Sequence, residues 1–124
     1  MSTRYYTKDH EWLEVDGDKL RLGITVYAQS NLGDIVFVEL PNVGDSFEAG
    51  DVISGVESVK TAADIFAPIA MEITAVNDEL NDSPELINEN AESAWICEAI
   101  LSDAAELDDL LDESTYKDFI ADIE

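Results

Sequence analysis

The chain reads as a mainly β domain, a small barrel or sandwich with a helical tail, on three observations. Short runs rich in β-branched and aromatic residues recur through its first hundred positions. Turn-forming Gly, Asp, Asn and Pro clusters separate most of them at short intervals. Beyond Ser102 the apolar period changes, with Leu107, Leu110 and Leu111, then Tyr116, Phe119, Ile120 and Ile123, falling at helical spacing.

The elements follow in order. Glu11 to Val15 and Lys19 to Ile24 flank Asp16-Gly17-Asp18, and the charged/apolar alternation over 19–22 predicts a half-exposed hairpin. A short helix is expected over 26–32, closed by Gly33. Asp34 to Leu40 is a strand stopped by Pro41, and Gly44-Asp45 with Gly50-Asp51 turn the chain around another short strand. Val52 to Glu57, Ala63 to Phe66, Glu72 to Val76 and Trp95 to Leu101 complete the strands. In the tail, Asp103 followed by Glu106 predicts a capped start after Ser102, leading into one broken helix or two short ones. Trp12 and Trp95 are expected in the core, since indole is the largest apolar body present.

Length and charge narrow the function. The 124 residues suit one domain, spanning 1–124. Six Lys and Arg against 29 Asp and Glu give a net charge of −23, so the surface would repel a phosphate backbone or an anionic membrane. No apolar run approaches the ~20 residues of a membrane helix, and the first residues lack a signal peptide's apolar stretch. A bacterial cytoplasm is the expectation, or a mitochondrial matrix for a processed eukaryotic chain. Cys97 is the sole cysteine, so no internal disulfide forms.

A search for catalytic groups returns little. Cys97 and His10 could in principle form a nucleophile pair, but Cys97 lies in the apolar run Trp95-Ile96-Cys97-Glu98-Ala99-Ile100, which reads as a buried strand. No zinc set, calcium loop or phosphate-binding glycine loop is present. The acidic pairs read as a solvated face. The chain is therefore expected not to be an enzyme and to hold no metal.

The rare residue is the informative one. Between Arg21 and Lys117 the only basic side chain is Lys60, in Glu57-Ser58-Val59-Lys60-Thr61-Ala62, between two predicted strands. A hairpin would present its amine to solvent in a fixed place, as a modifying enzyme requires. The residues alone leave a second reading open, a solubilising lysine or a partner for Glu57 or Asp64.

Several segments carry a resemblance: Tyr6-Thr7-Lys8-Asp9-His10-Glu11-Trp12, Gly23-Ile24-Thr25 with Ala28-Gln29, and Leu32-Gly33-Asp34-Ile35-Val36-Phe37-Val38-Glu39-Leu40-Pro41. To these add Val56-Glu57-Ser58-Val59-Lys60, Asp64-Ile65-Phe66-Ala67-Pro68 and Asp82-Ser83-Pro84-Glu85-Leu86-Ile87-Asn88. In order, spacing and length the chain resembles the H protein family of the glycine cleavage system. The resemblance implies a barrel-sandwich hybrid of the lipoyl/biotinyl-carrier kind with short C-terminal helices. It implies lipoate as an amide on Lys60, with Glu57, Ser58 and Val59 as the recognition turn. The arm would take an aminomethyl group from the pyridoxal-phosphate-dependent P protein, yield its one-carbon unit to the T protein, and be reoxidised by the L protein. Lipoyl-attaching enzymes are the remaining implied partners. Glu11, Asp64 and Asn31 would line a cleft in which the arm is stowed.

Biotinyl domains flank their lysine with methionines, and the lipoyl domains of 2-oxo acid dehydrogenases show Asp-Lys-Ala; neither pattern is present. An H-like lipoyl donor to other lipoyl domains, or an unmodified interaction module, are the alternative functions. The chain departs from the family where Met71 and Ala94 replace usual glycines, and where 96–100 lacks the usual lysines. A positive φ at Met71 would cost roughly 1–2 kcal/mol. The acid excess also resembles adaptation to high salt.

Overall fold

The computed structural model describes residues 2–123. Among these residues, nine strands form two antiparallel sheets. The strands are β1 (Thr3–Tyr6), β2 (Glu11–Asp16), β3 (Lys19–Ile24), β4 (Ile35–Glu39), β5 (Ser46–Phe47), β6 (Val52–Ser58), β7 (Ala62–Phe66), β8 (Met71–Val76) and β9 (Cys97–Leu101). The larger sheet runs β1-β2-β3-β9-β8-β5 and the smaller β4-β6-β7. The helices are α1 (Val26–Leu32), α2 (Glu79–Asp82), α3 (Leu86–Glu89) and α4 (Glu113–Ile123), with a 3-10 segment over Ala104–Asp109. The mainly β expectation holds, and α1 has the bounds its sequence predicts.

Alternation decides which residues meet in the core. On β3, Leu20 and Leu22 are buried while Lys19 and Arg21 are exposed, as a half-covered strand requires. Leu13 and Leu22 from the large sheet, Val38, Ile53, Val56 and Ile65 from the small one, and Leu80 and Ile87 from α2 and α3 belong to one buried cluster. Each such side chain contributes roughly 1.5–3 kcal/mol on leaving water.

A second cluster explains β2, where Trp12 is buried between the equally buried Glu11 and Leu13. Tyr6, Trp12 and Tyr116 form it, with Trp95, Leu111, Phe119 and Ile120 packed against it. The rings of Tyr6 and Tyr116 stack at 4.8 Å and 14°, and Tyr6 and Leu111 exchange backbone hydrogen bonds of 2.8 and 2.9 Å. This covering also accounts for β1, which is not among the strands expected from the sequence. Its pairing partners are β2 and the distant tail.

Several expectations are corrected. Met71 is a core strand residue, 1% exposed and paired with Leu101 and Phe47. The only positive φ among described non-glycine residues belongs to His10, at 70°, so Met71 carries no turn strain. Ala94 is likewise buried. Trp95 lies outside β9 and is only partly buried, with the Arg21 guanidinium 5.0 Å from its ring. Asp103 caps the tail by accepting from Ala105 N at 2.9 Å, but Glu106 reaches Ala70 N at 3.3 Å instead of completing a capping box. Two short helices, α2 and α3, are absent from the sequence prediction.

His10 has a local reason for its left-handed backbone. His10 N donates to Thr7 O at 3.1 Å and Thr7 N to Glu11 O at 3.0 Å. This three-residue hairpin loop is a tight turn followed by one residue of positive φ.

Candidate functional site

Lys60 stands in the loop Val59-Lys60-Thr61 between β6 and β7, and all three loop residues are exposed. Ser58 builds the turn. Its N–H donates to Thr61 O at 2.8 Å, and its hydroxyl donates to the same carbonyl at 3.1 Å. The hydroxyl oxygen also accepts from Lys60 N at 3.3 Å and Thr61 N at 3.2 Å. One small buried hydroxyl therefore satisfies the loop amides that the ladder cannot reach, which makes the tip rigid.

The tip rests on the joint between α1 and β4. Val59 N donates to Asp34 O at 3.0 Å. Gly33, at φ 81°, closes α1 through its N–H to Gln29 O at 3.0 Å. The point that a Cβ on Gly33 would occupy lies 3.6 Å from Lys60 Cε, so the lysine stem lies along a glycine surface. Among the described residues no carboxylate is ion-paired with Lys60. The residue is exposed at the end of the β6–β7 ladder.

The other predicted residues occupy different surroundings. Glu57 is exposed on β6, across from Phe37 and Ala62. Asn31 is exposed in the last turn of α1, just ahead of Gly33. Asp64 is exposed on the outer side of the small sheet, paired with Gly55, in a recess shared with Glu39. Glu11 is 2% exposed and borders another recess with Thr7, Asp9, Phe66 and Leu110. The structure thus places Glu11 and Asp64 in separate recesses.

Glu11 is a structural acceptor as well as a recess residue. Its Oε2 accepts from Phe66 N at 2.7 Å, its Oε1 from the Thr7 hydroxyl at 3.2 Å, and its own N–H donates to Thr7 Oγ1 at 3.1 Å. It thereby ties the end of β7 to the β1–β2 loop. Burial raises its carboxyl from 4.5 to about 7, with the Phe66 and Thr7 hydrogen bonds opposing the rise.

Among the described residues, Cys97 and His10 have separate surroundings. Cys97 is fully buried, and burial pushes its thiol up to about 12. His10 Nδ1 is 2.8 Å from the Tyr116 hydroxyl, which is 2.7 Å from Thr25 Oγ1; Thr25 in turn caps α1 by accepting from Ala28 N at 3.3 Å. Burial lowers the His10 pKa, favouring a neutral ring.

Sequence reasoning missed Asn88, which bonds both sides of Asp34, and Thr7, which orients Glu11. Asn88 ends the Asp82–Asn88 segment already quoted, so its signal was present without a role.

A small two-sheet sandwich that presents a fixed, exposed lysine on a tight hairpin has the architecture of a carrier domain. The comparisons carry this to a family. The family model described as glycine cleavage H-protein matches residues 4–123. A glycine cleavage system H protein of Acidobacterium capsulatum is 54% identical over 115 residues, covering 93% of this chain and 89% of the relative. That of Thermotoga maritima is 45% identical over 122 residues, covering 98% of each. The crystal structure of a glycine cleavage system H protein from Mycobacterium marinum superposes with a TM-score of 0.87 at 37% identity, covering 95% of this chain and 96% of that one. The chain belongs to the glycine cleavage H-protein family. It is a carrier component of the glycine cleavage system, not a catalyst. No helix among the described residues is long and apolar enough to cross a membrane.

Proposed function

We propose that Lys60 is the residue to which lipoate is joined as an amide, making this chain the lipoyl carrier between the enzymes of glycine cleavage. The observation that carries the reading is the placement of Lys60: exposed, without an ion pair among the described residues, and in a turn fixed by Ser58. The residues fit the group. Lys60 is exposed at the loop tip, where an acyl group on Nζ can be accommodated, and its stem passes beside Gly33. Bound there, lipoate supplies a disulfide that takes up the aminomethyl group of glycine as it is reduced.

The chain's own part is positioning. Amide formation at Nζ removes the charge of the one cation in that stretch. The fixed hairpin presents the amine to a lipoyl-attaching enzyme, with Glu57, Ser58 and Val59 as the turn it reads. In use, the same rigid tip lets an arm swing while its root stays still. The partners follow from the system: a glycine decarboxylase (P protein), an aminomethyltransferase (T protein) and a dihydrolipoyl dehydrogenase (L protein). A net charge of −23 steers encounter with basic patches on such partners and makes it salt-sensitive. Asp64 and Asn31, both exposed, and Glu11, at a recess border, are the candidates for contact with a stowed arm.

The test is an intact mass of the chain produced in cells with an active lipoylation pathway, beside a Lys60→Arg control. The expected result is a gain of one lipoyl amide, absent from the control. No gain in the wild-type chain overturns the proposal.

A further inference from the structure

Ser58 fixes the turn that bears Lys60 from within, and a contact with a distant segment fixes the turn against the rest of the fold. The tip is bound through Val59 N to the carbonyl of Asp34 at 3.0 Å. That carbonyl lies in the joint between α1 and β4, beside Gly33 at φ 81° and in an exposed residue. A glycine-containing joint loses much conformational freedom when ordered and needs an outside restraint.

Asn88, in α3, supplies it. Its Oδ1 accepts from Ile35 N at 2.8 Å, and its Nδ2 donates to Gly33 O at 2.8 Å. The partners, one N–H and one C=O, decide which end of the amide faces which. Ile35 N and Asp34 O belong to one peptide group, and Gly33 O to the peptide group before it. Asn88 therefore holds two successive peptide planes, and the second of them holds the hairpin tip. An N–H already engaged with an acceptor also polarises the carbonyl on its own peptide, strengthening the bond to Val59.

Only a short amide meets this requirement. Asp offers acceptors to both neighbours and so faces Gly33 O with a like dipole; Ala offers neither group. The support behind Asn88 is firm, because Ile87 beside it and Leu80 in α2 are both fully buried. Pro84 N-terminal to α3, with Leu86 N to Ser83 O at 3.1 Å and Ile87 N to Pro84 O at 3.2 Å, fixes the turn from which Asn88 projects. The Asp82–Asn88 segment thus reads as a bracket for a residue distant in the chain.

We propose that Asn88 is a positioning residue for the carrier lysine: by clamping Gly33 O and Ile35 N it aims the Asp34 carbonyl that pins the Val59-Lys60 tip. The proposal takes Lys60 as the attachment residue, as above.

The test uses the whole, unmodified chain, isotope-labelled for NMR, as wild type, Asn88→Ala and Asn88→Asp. Asn90→Ala, an exposed substitution just past the same helix, is the control. Amide hydrogen exchange at Val59 is expected to accelerate about tenfold in N88A, while amides of β2 and β3 keep wild-type rates. N88D, which retains an acceptor for Ile35 N and loses the donor to Gly33 O, is expected to move Val59 in the same direction, and carries the comparison if N88A does not fold. With a lipoyl-attaching enzyme at limiting carrier concentration, the attachment rate is expected to fall severalfold in N88A, though loading still reaches completion. Wild-type exchange at Val59 in the variants overturns the proposal. Equal acceleration at Val59 and in β2–β3 does so too, because it makes Asn88 a general stabilising residue. If wild-type Lys60 takes no lipoate, the attachment reading falls, and the exchange at Val59 still decides the role of Asn88.

Discussion

Replacing Glu11 with Gln isolates what one buried carboxylate does to this fold. Glu11 is 2% exposed, and burial moves its carboxyl from 4.5 to about 7. The unfolded chain releases this proton near the ordinary value, so between these two values the native state holds a proton that the unfolded state lacks. The stability that this difference contributes is fully present below the unfolded value and is lost as pH rises through the folded one. At about 1.4 kcal/mol per pH unit, the loss amounts to roughly 3 kcal/mol by pH 8. Gln keeps the volume and the acceptor for Phe66 N without the charge. E11Q is expected to match wild type near pH 4.5 and to exceed it by roughly 3 kcal/mol at pH 8, a rise in Tm on the order of 10 °C for a chain of this size. Melts followed by near-ultraviolet circular dichroism across this range provide the assay. Ionic strength is held constant, because the other carboxylates of so acidic a chain respond to salt. Parallel pH profiles for the two proteins would refute the reasoning.

Other expectations follow from single contacts. A Cβ at Gly23 would lie 2.6 Å from the Trp12 ring, whose Nε1 donates to Ala91 O at 3.0 Å; Gly23→Ala should cost about 3 kcal/mol in urea unfolding and shift tryptophan fluorescence. Tyr116→Phe removes the hydroxyl between His10 and Thr25 and should cost about 1–2 kcal/mol by the same assay. Cys97, fully buried with its thiol pushed up to about 12, should resist thiol reagents until the chain unfolds; labelling of the native protein at the rate of a free thiol would contradict its placement.

Local chemistry made most of the fold legible. Gly33 after 26–32 marks the end of α1 and is observed as its C-cap, while the structure adds Thr25 as the N-cap. The two strands around Lys60 announce themselves by composition, and the short gap between them leaves little choice but a hairpin. Alternation on β3 likewise carries into burial. Where the reading failed, the deciding partners lie far away in the chain. β1 is only four residues long, too short to show a period, and is held as a strand by pairing with β2 and with Leu111. Met71, at a usual glycine position, suggests a strained turn until the strand register places it between Phe47 and Leu101.

The site divides in the same way. Lys60 stands out in the sequence because basic residues are so scarce around it, and the resemblance of several spaced segments points to the family that the comparisons show. Those are properties of residue type and spacing, which a linear chain displays in full. What the tertiary structure decided is which polar groups meet: Glu11 with Phe66 N, Asn88 with Gly33 and Ile35, and Val59 with Asp34. Side-chain amides and carboxylates look alike in sequence wherever they occur. Their roles follow from which unsatisfied backbone groups the packed sheets bring within hydrogen-bonding distance, and only folding sets that.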